Sequence, residues 1–512
     1  MKQTVILVIL DGWGIGEQNE TNAIYMAQPK TMQYIEEHFP GGALKSSGLS
    51  VGLPWGEEGN SEVGHLTLGA GRVLYQHYLK ISKAIEDGAF FKNKSLVQAY
   101  AHARKHNSAL HLVGILTKGN VHASFNHLTA LIEMASREKI TNLYLHIFTD
   151  GRDSAPRSAL KLLTDLKKVT EKYHVGIIAT LAGRYYGMDR DNRWDRTQKA
   201  YDVLTGKGEV VRPEDVLNNA YGNDLSDEYV KPAIVGGPHP ITDNDAVIFF
   251  NFREDRMRQL NAAFGDTTFD AFPVKQMKNV YLATMTRYDN DQSALVAFPS
   301  EQVHNTLGEF LAEHNKTQLR IAETEKYAHV TYFFNGLHKE PFDKEYRILI
   351  PSAQVARYDK YPQMRAEAIT DRAILSLRNG AFDFILLNFA NADMVAHTGN
   401  YHATIQAVTS VDTALGKLVK EVLTGGHTMI LTSDHGNAEV IFNKNTGESE
   451  TKHNPSPVPC YLIGNTFKKN TPQYNEFENA GLLADIAPTI LELIKLTQPP
   501  EMTGASLLNI LQ

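Results

Sequence analysis

Two separate segments combine aspartate with histidine in arrangements that suit divalent metal ions. Asp393 and His397 are four residues apart, so a helical turn places both side chains on one face. Asp434 and His435 are adjacent at the end of an apolar run, where they can direct two ligands in different directions. Mixed carboxylate and imidazole ligation without thiolates suits manganese or zinc better than calcium. The sequence therefore predicts a site for two divalent ions, with candidate ligands Asp11, Asp393, His397, Asp434, His435 and His453.

The stretch GNSEVGH, from Gly59 to His65, frames a serine as nucleophile motifs do, but it places no base beside Ser61. A divalent ion could replace the base, because zinc lowers the pKa of bound water from 15.7 to about 7. The alternative is that Ser61 caps the helix predicted over Glu62–Leu68, and the motif alone favours this cap. Both interpretations place free backbone N–H groups where a phosphate could bind.

A second group of charged residues is dominated by arginine. Guanidinium groups match the oxygens of carboxylates and phosphates two at a time, so the group predicts recognition of a small, multiply charged anion. Asp153 would stay ionised among these arginines and could exchange a proton with a substrate hydroxyl. The group comprises His122, Arg152, Asp153, Arg184, Arg190, Arg253 and Arg256.

Some of the neighbouring charged residues have a simpler interpretation. Solvated ion pairs are the better explanation for Arg193, Arg196 and Arg258. Lys326, in the segment ETEKYAHV, is added as a candidate contact to the substrate, although a lysine taken alone is more often at the surface.

The elements that must position these residues alternate between short apolar runs and helical stretches, which is typical of an α/β fold. Strands are predicted over Val5–Leu10, Leu110–Leu116, Asn142–Phe148, Val175–Leu181, Ala246–Asn251, Phe382–Phe389 and Thr428–Thr432, and helices over Ser158–Lys172, Arg365–Arg378 and Thr404–Leu423. Each strand ends in a polar cluster, at the edge where parallel sheets bind ligands. Acids and histidines follow the strands near the chain ends, and arginines follow the central ones. This predicts a metal-binding domain from residues 1–75 plus 301–512, with an anion-binding domain of residues 76–300 inserted.

The composition excludes several classes of function. The 512 residues carry a net charge of −7, which argues against binding to nucleic acids or membrane surfaces. A single cysteine, Cys460, leaves neither a disulfide framework nor a thiolate metal cluster. The first apolar run stops at Leu10, which is too short for a membrane span. We expect a cytoplasmic protein.

Seven motifs together resemble the 2,3-bisphosphoglycerate-independent phosphoglycerate mutases of the alkaline phosphatase superfamily. The likeness extends over essentially the whole chain. The motifs are LDGWG (10–14), GNSEVGH (59–65), HIFTDGRDSAPRS (146–158), AGRYYGMDRDNRWDR (182–196), ETEKYAHVTYFFNG (323–336), NFANADMVAHTGN (388–400) and SDHGNAE (433–439).

The resemblance implies a phosphatase-like domain from both chain ends and an inserted phosphotransferase domain. It implies an isomerase of glycolysis and gluconeogenesis that interconverts 3-phosphoglycerate and 2-phosphoglycerate, as a monomer, through a phosphoserine on Ser61. Two Mn²⁺ ions are implied, with Zn²⁺, Co²⁺ or Mg²⁺ as other options, and no 2,3-bisphosphoglycerate is required. One ion would be held by Asp393, His397 and His453, and the other by Asp11, Ser61, Asp434 and His435. Substrate contacts would come from His122, Arg152, Asp153, Arg184, Arg190, Arg253, Arg256 and Lys326.

Two positions depart from the pattern of the family. Leu337 follows FFNG where a second glycine is usual, and Glu254 stands inside NFREDR where a small residue or proline is common. Glu254 could tune the two flanking arginines. The alternative functions are a metal-dependent phosphomonoesterase, a sugar-phosphate mutase of the same superfamily, or an inactive relative that serves as a binding protein.

Overall fold

The chain divides into two compact units. The structure is a computed structural model that describes residues 2–289, 293–299, 302–444, 446–469 and 479–511. Unit 1 contains Met1–Tyr75 and Gln302–Gln512, and unit 2 contains Gln76–Glu301. The domain boundary expected at residues 300–301 lies outside the described residues.

The strands of the described residues belong to two sheets, one in each unit. In chain order they are β1 (Val5–Leu10), β2 (Gly41–Lys45), β3 (Leu110–Leu116), β4 (Leu143–Thr149), β5 (Ile177–Gly183), β6 (Ala233–Ile234), β7 (Ala246–Phe249), β8 (Tyr281–Thr284), β9 (Leu295–Val296), β10 (Gln318–Glu323), β11 (Glu345–Ile350), β12 (Phe384–Phe389), β13 (Thr428–Thr432), β14 (Val458–Ile463) and β15 (Asn479–Leu482).

Helices alternate with these strands along most of the chain. They are α1 (Ala23–Ala27), α2 (Lys30–His38), α3 (Ser61–Ala70), α4 (His77–Glu86), α5 (Lys94–His106), α6 (Phe125–Arg137), α7 (Ala159–Tyr173), α8 (Arg184–Gly187), α9 (Trp194–Leu204), α10 (Pro213–Gly222), α11 (Arg258–Gly265), α12 (Leu307–Glu313), α13 (Thr324–Ala328), α14 (Ala366–Asn379), α15 (Asn391–Ala396), α16 (Tyr401–Gly425), α17 (Ile486–Leu493) and α18 (Leu508–Leu511). Within the described residues, no helix has the length and apolar character that crossing a bilayer requires.

The sheet of unit 1 has the strand order β11-β10-β12-β1-β13-β14-β2-β15. Strand β1 lies between β12 and β13 and is parallel to both. Its alternate side chains enter two separate cores, one containing Ile6 and Val8 and the other Leu7 and Ile9. Helices cover both faces of such a sheet, which explains why its central strands read as continuous apolar runs. Because β12, β1 and β13 are parallel, the residues that follow their carboxyl ends share one edge.

The sheet of unit 2 has the order β6-β5-β4-β3-β7-β8-β9. Strands β5, β4, β3 and β7 are neighbours and run parallel. Their carboxyl ends therefore bring four loops of the arginine group to one edge, as the rule for parallel sheets requires.

The expected α/β class is confirmed, and the predicted strands and helices exist with ends shifted by up to three residues. Eight strands of the described residues were not predicted, namely β2, β6, β8, β9, β10, β11, β14 and β15. Strand β10 reads QLRIAE, which is not an apolar run because it contains Gln318, Arg320 and Glu323. All three of these polar residues are nevertheless buried. Tertiary burial of polar side chains overrides the pattern there.

Candidate active site

Ser61 is the first residue of α3, and the preceding residue caps the helix. The Asn60 side chain accepts a hydrogen bond from the Val63 N–H, so the expectation that Ser61 is the N-cap is wrong. The Ser61 side chain instead faces residues that come after strands β1, β10 and β13. Its Oγ lies 2.9 Å from His435 Nε2, 2.6 Å from Lys326 Nζ and 3.2 Å from Asp11 Oδ1.

Lys326 is buried at the centre of this cluster. It follows β10 on α13, and its ammonium group donates to Asp11 Oδ1 at 2.6 Å and to Asp393 Oδ2 at 2.7 Å. Burial would lower the pKa of Lys326, but the charges of Asp11 and Asp393 raise it above its usual value. The interpretation of a lone surface lysine is therefore wrong, because only 3% of Lys326 is exposed.

Five of the six aspartates and histidines predicted as metal ligands form two overlapping groups, and His397 lies beside one of these groups. Ligand atoms of Asp11, Asp434 and His435 lie within 4.8 Å of one another, and so do those of Asp393, His435 and His453. His397 Nε2 lies 3.2 Å from Asp393 Oδ1 and 3.1 Å from His453 Nε2. His435 therefore belongs to both groups. Burial alone would lower the pKa of His435, but the neighbouring carboxylates of Asp434 and Asp11 raise it to about 9.

Arg184 is the centre of the cluster in unit 2. Its NH1 group donates to Asp150 and Asp153, and its NH2 group lies 2.9 Å from His122 Nε2. Burial would raise the pKa of Asp150, but hydrogen bonds from Thr117, the Asp153 backbone and Arg184 lower it below its usual value. Burial and the Arg184 charge lower the pKa of His122 to about 4. The cluster therefore pairs a charged guanidinium with two carboxylates and a neutral imidazole.

The remaining arginines surround the same edge of unit 2 and are more exposed. Asp255 pairs with Arg190 NH1 at 2.8 Å and with Arg253 Nε at 3.2 Å. Arg256 NH1 donates to the Met188 carbonyl, and Arg152 lies 3.7 Å from Glu228. Burial lowers the pKa of Arg256, and the nearby positive charges of Arg184 and Arg190 lower it further.

Comparisons with known proteins give matches over nearly the whole chain. Residues 81–290 match the family model described as the BPG-independent PGAM N-terminus, and residues 300–456 match that of type I phosphodiesterase/nucleotide pyrophosphatase. A 2,3-bisphosphoglycerate-independent phosphoglycerate mutase of Trichormus variabilis is 46% identical, covering 99% of this chain and 95% of that protein. One of Clostridium botulinum is 45% identical, covering 99% and 100%. This chain belongs to the 2,3-bisphosphoglycerate-independent phosphoglycerate mutase family.

A solved structure of a phosphoglycerate mutase agrees with this assignment. The phosphoglycerate mutase of Leishmania mexicana, crystallised at low cobalt concentration, is 30% identical, with a TM-score of 0.58. The match covers 99% of this chain and 97% of that one.

The donor atoms around Ser61 suit the divalent ions that the family resemblance implies. His397 Nδ1 donates to the Thr451 carbonyl at 2.7 Å, and His453 Nδ1 donates to the Gly59 carbonyl at 2.9 Å. Their Nε2 atoms therefore carry lone pairs that face each other at 3.1 Å. Such a pair repels unless a cation or a proton lies near it. Held by a hydrogen bond at the other ring nitrogen, each imidazole has the usual arrangement of a metal ligand.

Asp434 supplies a second observation of the same kind. Its Oδ1 accepts from the N–H groups of Gly12 and His435. Its Oδ2 is buried, and among the described residues no group makes a hydrogen bond to it within accepted geometry. A buried carboxylate oxygen in this state is costly unless a cation approaches it. The residues present therefore fit the two ions.

Several residues of both clusters were not predicted as site residues. Asp150 and Asp255 lie inside the motifs TDGRD and NFREDR, in which only neighbouring residues were predicted as site residues. The carboxylate that pairs with Arg190 and Arg253 is Asp255, whereas Glu254 was expected to tune the flanking arginines. His65 and Asn388 also lie inside quoted motifs and contact residues around Ser61. A polar residue inside an apolar strand, such as Asn388 in FILLNF, is the signal that could have found one of them.

Proposed function

We propose that the chain interconverts 3-phosphoglycerate and 2-phosphoglycerate through a phosphoserine intermediate on Ser61, with two divalent ions and without added 2,3-bisphosphoglycerate. Relatives named 2,3-bisphosphoglycerate-independent phosphoglycerate mutase match 99% of this chain at 44–46% identity. The observation that carries the proposal is the environment of the Ser61 hydroxyl. The Asp11 carboxylate, the His435 imidazole and the buried Lys326 ammonium group contact it, and Lys326 also pairs with Asp393. These are groups that bind cations or offset the charge of a phosphate.

The contacts in unit 1 support a division of the ligands between the two ions. Asp393, His397 and His453 would hold one ion, and Asp11, Ser61, Asp434 and His435 the other. Bound there, divalent ions would lower the pKa of the serine hydroxyl and offset charge on the phosphate. We propose manganese as the native ion, with zinc, cobalt or magnesium as the alternatives that metal analysis would separate.

Residues of unit 1 would carry out the transfer itself. The Ser61 Oγ attacks the phosphorus of 3-phosphoglycerate, and the bond from phosphorus to the substrate's C3 oxygen breaks in line with the attack. Lys326 Nζ, 2.6 Å from Ser61 Oγ, offsets the negative charge of the transferred group. Ser61 also begins α3, whose N-terminal dipole favours a phosphate at that end.

Residues of unit 2 would bind the glycerate. Arg184, Arg190, Arg253 and Arg256, with Arg152, supply guanidinium groups for its carboxylate. In the first transfer the Ser61 hydroxyl loses its proton to solvent, and Asp153 would take a proton from water and pass it to the leaving C3 oxygen. In the second transfer Asp153 would take a proton from the C2 hydroxyl as that oxygen accepts the phosphoryl group, and the Ser61 oxygen regains a proton. Because the pKa of His122 is lowered to about 4, this residue would stay neutral and act by hydrogen bonding at neutral pH.

The remaining expectations about the chain concern its partners and location. We propose that it acts as a monomer in the cytoplasm on small-molecule substrates. Light scattering at micromolar concentration measures the oligomeric state, and a stable dimer would contradict the first part.

A product assay tests the proposal. The purified chain is given 3-phosphoglycerate and Mn²⁺ without 2,3-bisphosphoglycerate, and ³¹P NMR follows the products. We expect 2-phosphoglycerate to accumulate up to equilibrium, and a chelator to stop the reaction until Mn²⁺ is restored. Release of free phosphate instead would indicate a phosphomonoesterase, and strict dependence on added 2,3-bisphosphoglycerate would refute the class.

A further inference from the structure

Two fully buried side chains, Asn388 and His65, join the groups around Ser61 to one another. Asn388 Nδ2 donates to Asp11 Oδ2 at 2.8 Å and lies 3.1 Å from His65 Nε2. On the other side of the imidazole ring, His65 Nδ1 lies 2.9 Å from the Ser61 carbonyl and 3.2 Å from Asp434 Oδ2. A continuous path of hydrogen bonds thus runs from Asp11 to the backbone of Ser61, and passes close to Asp434.

The direction of each hydrogen bond in this path follows from its ends. Asp11 offers only acceptors when ionised, so the amide nitrogen of Asn388 must face it. The second hydrogen of that nitrogen then points to His65, whose Nε2 must accept. His65 therefore carries its proton on Nδ1, where the carbonyl of Ser61 accepts it. The path has one consistent assignment, with His65 as a neutral ring.

The three elements that carry the path are packed without room to shift. Asn388 is on β12, His65 is on α3, and Asp434 follows β13. Between Ser61 and His65 stands Gly64, at which a Cβ atom would lie 2.8 Å from the Asp434 Cβ. The backbone of α3 therefore touches Asp434 directly, and only glycine allows this approach. The spacing of Asp11, Asp434 and Ser61 is set by contacts on every side.

We propose that Asn388 and His65 are positioning residues, which set the separation of Asp11 and Asp434 and fix the first turn of α3 beneath the Ser61 nucleophile. The inference rests on the proposed function only in assigning Asp11, Ser61 and Asp434 to one ion. Neither residue touches the substrate or the ion; each acts through the groups that do. Partners of metal ligands outside the coordination shell typically contribute 10- to 100-fold to metal affinity or activity.

Two substitutions at one position separate the two ends of the path. In His65→Asn, the amide can occupy the place of Nδ1 and keep the hydrogen bond to the Ser61 carbonyl, while the contact with Asn388 is lost. In His65→Gln, the longer amide can occupy the place of Nε2 and keep Asn388 bound, while the donor to Ser61 is lost. We expect His65→Asn to weaken the Asp11 side of the path and His65→Gln to weaken the Ser61 and Asp434 side.

Calorimetric titration of the metal-free protein with Mn²⁺ measures the expected effect without relying on activity. We expect the dissociation constant of the more weakly bound Mn²⁺ ion to rise about 10- to 100-fold in both variants. The kcat of the variants should recover partly at high Mn²⁺, which a general loss of folded protein would not allow. The matched control is His127→Gln in unit 2, which changes a buried histidine whose Nε2 bonds Ser82 Oγ at 2.9 Å. Its Mn²⁺ affinity should equal that of the unaltered chain.

The tautomer of His65 in the unaltered metal-free protein gives a second test that needs no variant to fold. ¹⁵N NMR of the histidine side chains should show His65 protonated at Nδ1 and unprotonated at Nε2. An Nε2–H tautomer, or folded His65 variants with unchanged Mn²⁺ affinity, would overturn the inference. If the variants lose Mn²⁺ affinity but the unaltered chain has no mutase activity, the proposed function fails and the positioning role stands.

Discussion

The two charged clusters of this chain differ in the sign of their dominant charge and in the direction in which they shift the pKa of a buried histidine. In unit 1 a single buried ammonium group, Lys326, lies among carboxylates and histidines, and the charge of Asp434 helps to raise the pKa of His435 to about 9. In unit 2 several guanidinium groups surround carboxylates, and burial with Arg184 lowers the pKa of His122 to about 4. Negative charge thus dominates the first cluster and positive charge the second. The first is suited to cations, and the second to an anionic substrate.

The largest expected effect belongs to the nucleophile in unit 1. Ser61→Ala removes the group that would carry the phosphoryl intermediate, so we expect mutase turnover to fall at least about 10⁴-fold. The carboxylates and imidazoles remain, and calorimetry should still show two Mn²⁺ ions bound. Glycerate binding by unit 2 should be unchanged. Turnover within tenfold of the unaltered chain would refute the role of Ser61.

A substitution in unit 2 should have the complementary effect. Arg184→Gln leaves the buried carboxylate of Asp150 and the partly exposed carboxylate of Asp153 without their shared partner, and it removes a proposed contact to the substrate. We expect kcat/KM for 3-phosphoglycerate to fall about 10²-fold or more, with Mn²⁺ affinity unchanged. The matched control is Arg193→Gln, which alters an exposed arginine paired with Asp195 and should lose little activity. A loss of Mn²⁺ affinity in Arg184→Gln would contradict the separation of roles.

The buried histidines of unit 2 predict a dependence of its stability on pH. Burial lowers the pKa of His127 to about 3, so the folded state keeps it neutral while the unfolded state takes a proton below about 6.5. The contribution of neutral His127 to the free energy of unfolding is therefore fully present above pH 6.5 and is lost progressively as the pH falls towards 3. From pH 7.5 to 5.0 the loss for this residue is about 2 kcal/mol.

Hydrogen exchange by mass spectrometry measures this loss in segments of unit 2. Protection around α6 should decrease between pH 7.5 and 5.0 after correction for intrinsic exchange rates. His127→Gln, which removes the titrating group, should reduce this pH dependence. An unchanged dependence in the variant would show that His127 does not contribute to it.

The smallest effect is expected in unit 1 at Leu337. Its φ is +68°, in the left-handed region that favours glycine, and 46% of the residue is exposed. Leu337→Gly should therefore raise the free energy of unfolding by about 0.5–1 kcal/mol, because it relieves strain and loses little burial. Leu337→Ala keeps the Cβ atom and serves as the control without this gain. Denaturant unfolding followed by fluorescence compares the three proteins, and equal gains in both variants would refute the strain.

The sequence was sufficient for the central strands and for grouping the charged residues, because parallel strands carry their polar loops to one edge. It was insufficient where tertiary contacts override local pattern. In the sequence Lys326 resembles a surface lysine, but in the structure it lies among three carboxylates. In the sequence Ser61 resembles a helix cap, but in the structure Asn60 is the cap. His65 could be identified only from its contacts, because its partners Asn388 and Asp434 are more than 300 residues away along the chain, whereas Asn388 stands out in the sequence as a polar residue inside an apolar strand.

Direct detection of the covalent intermediate tests the central claim most directly. The chain is mixed with Mn²⁺ and 3-phosphoglycerate labelled with ³²P, quenched within milliseconds, and digested for peptide analysis. We predict label on the peptide that contains Ser61, formed at least as fast as turnover, and none in Ser61→Ala. Label on another residue, or 2-phosphoglycerate formed without any labelled protein, would contradict the account.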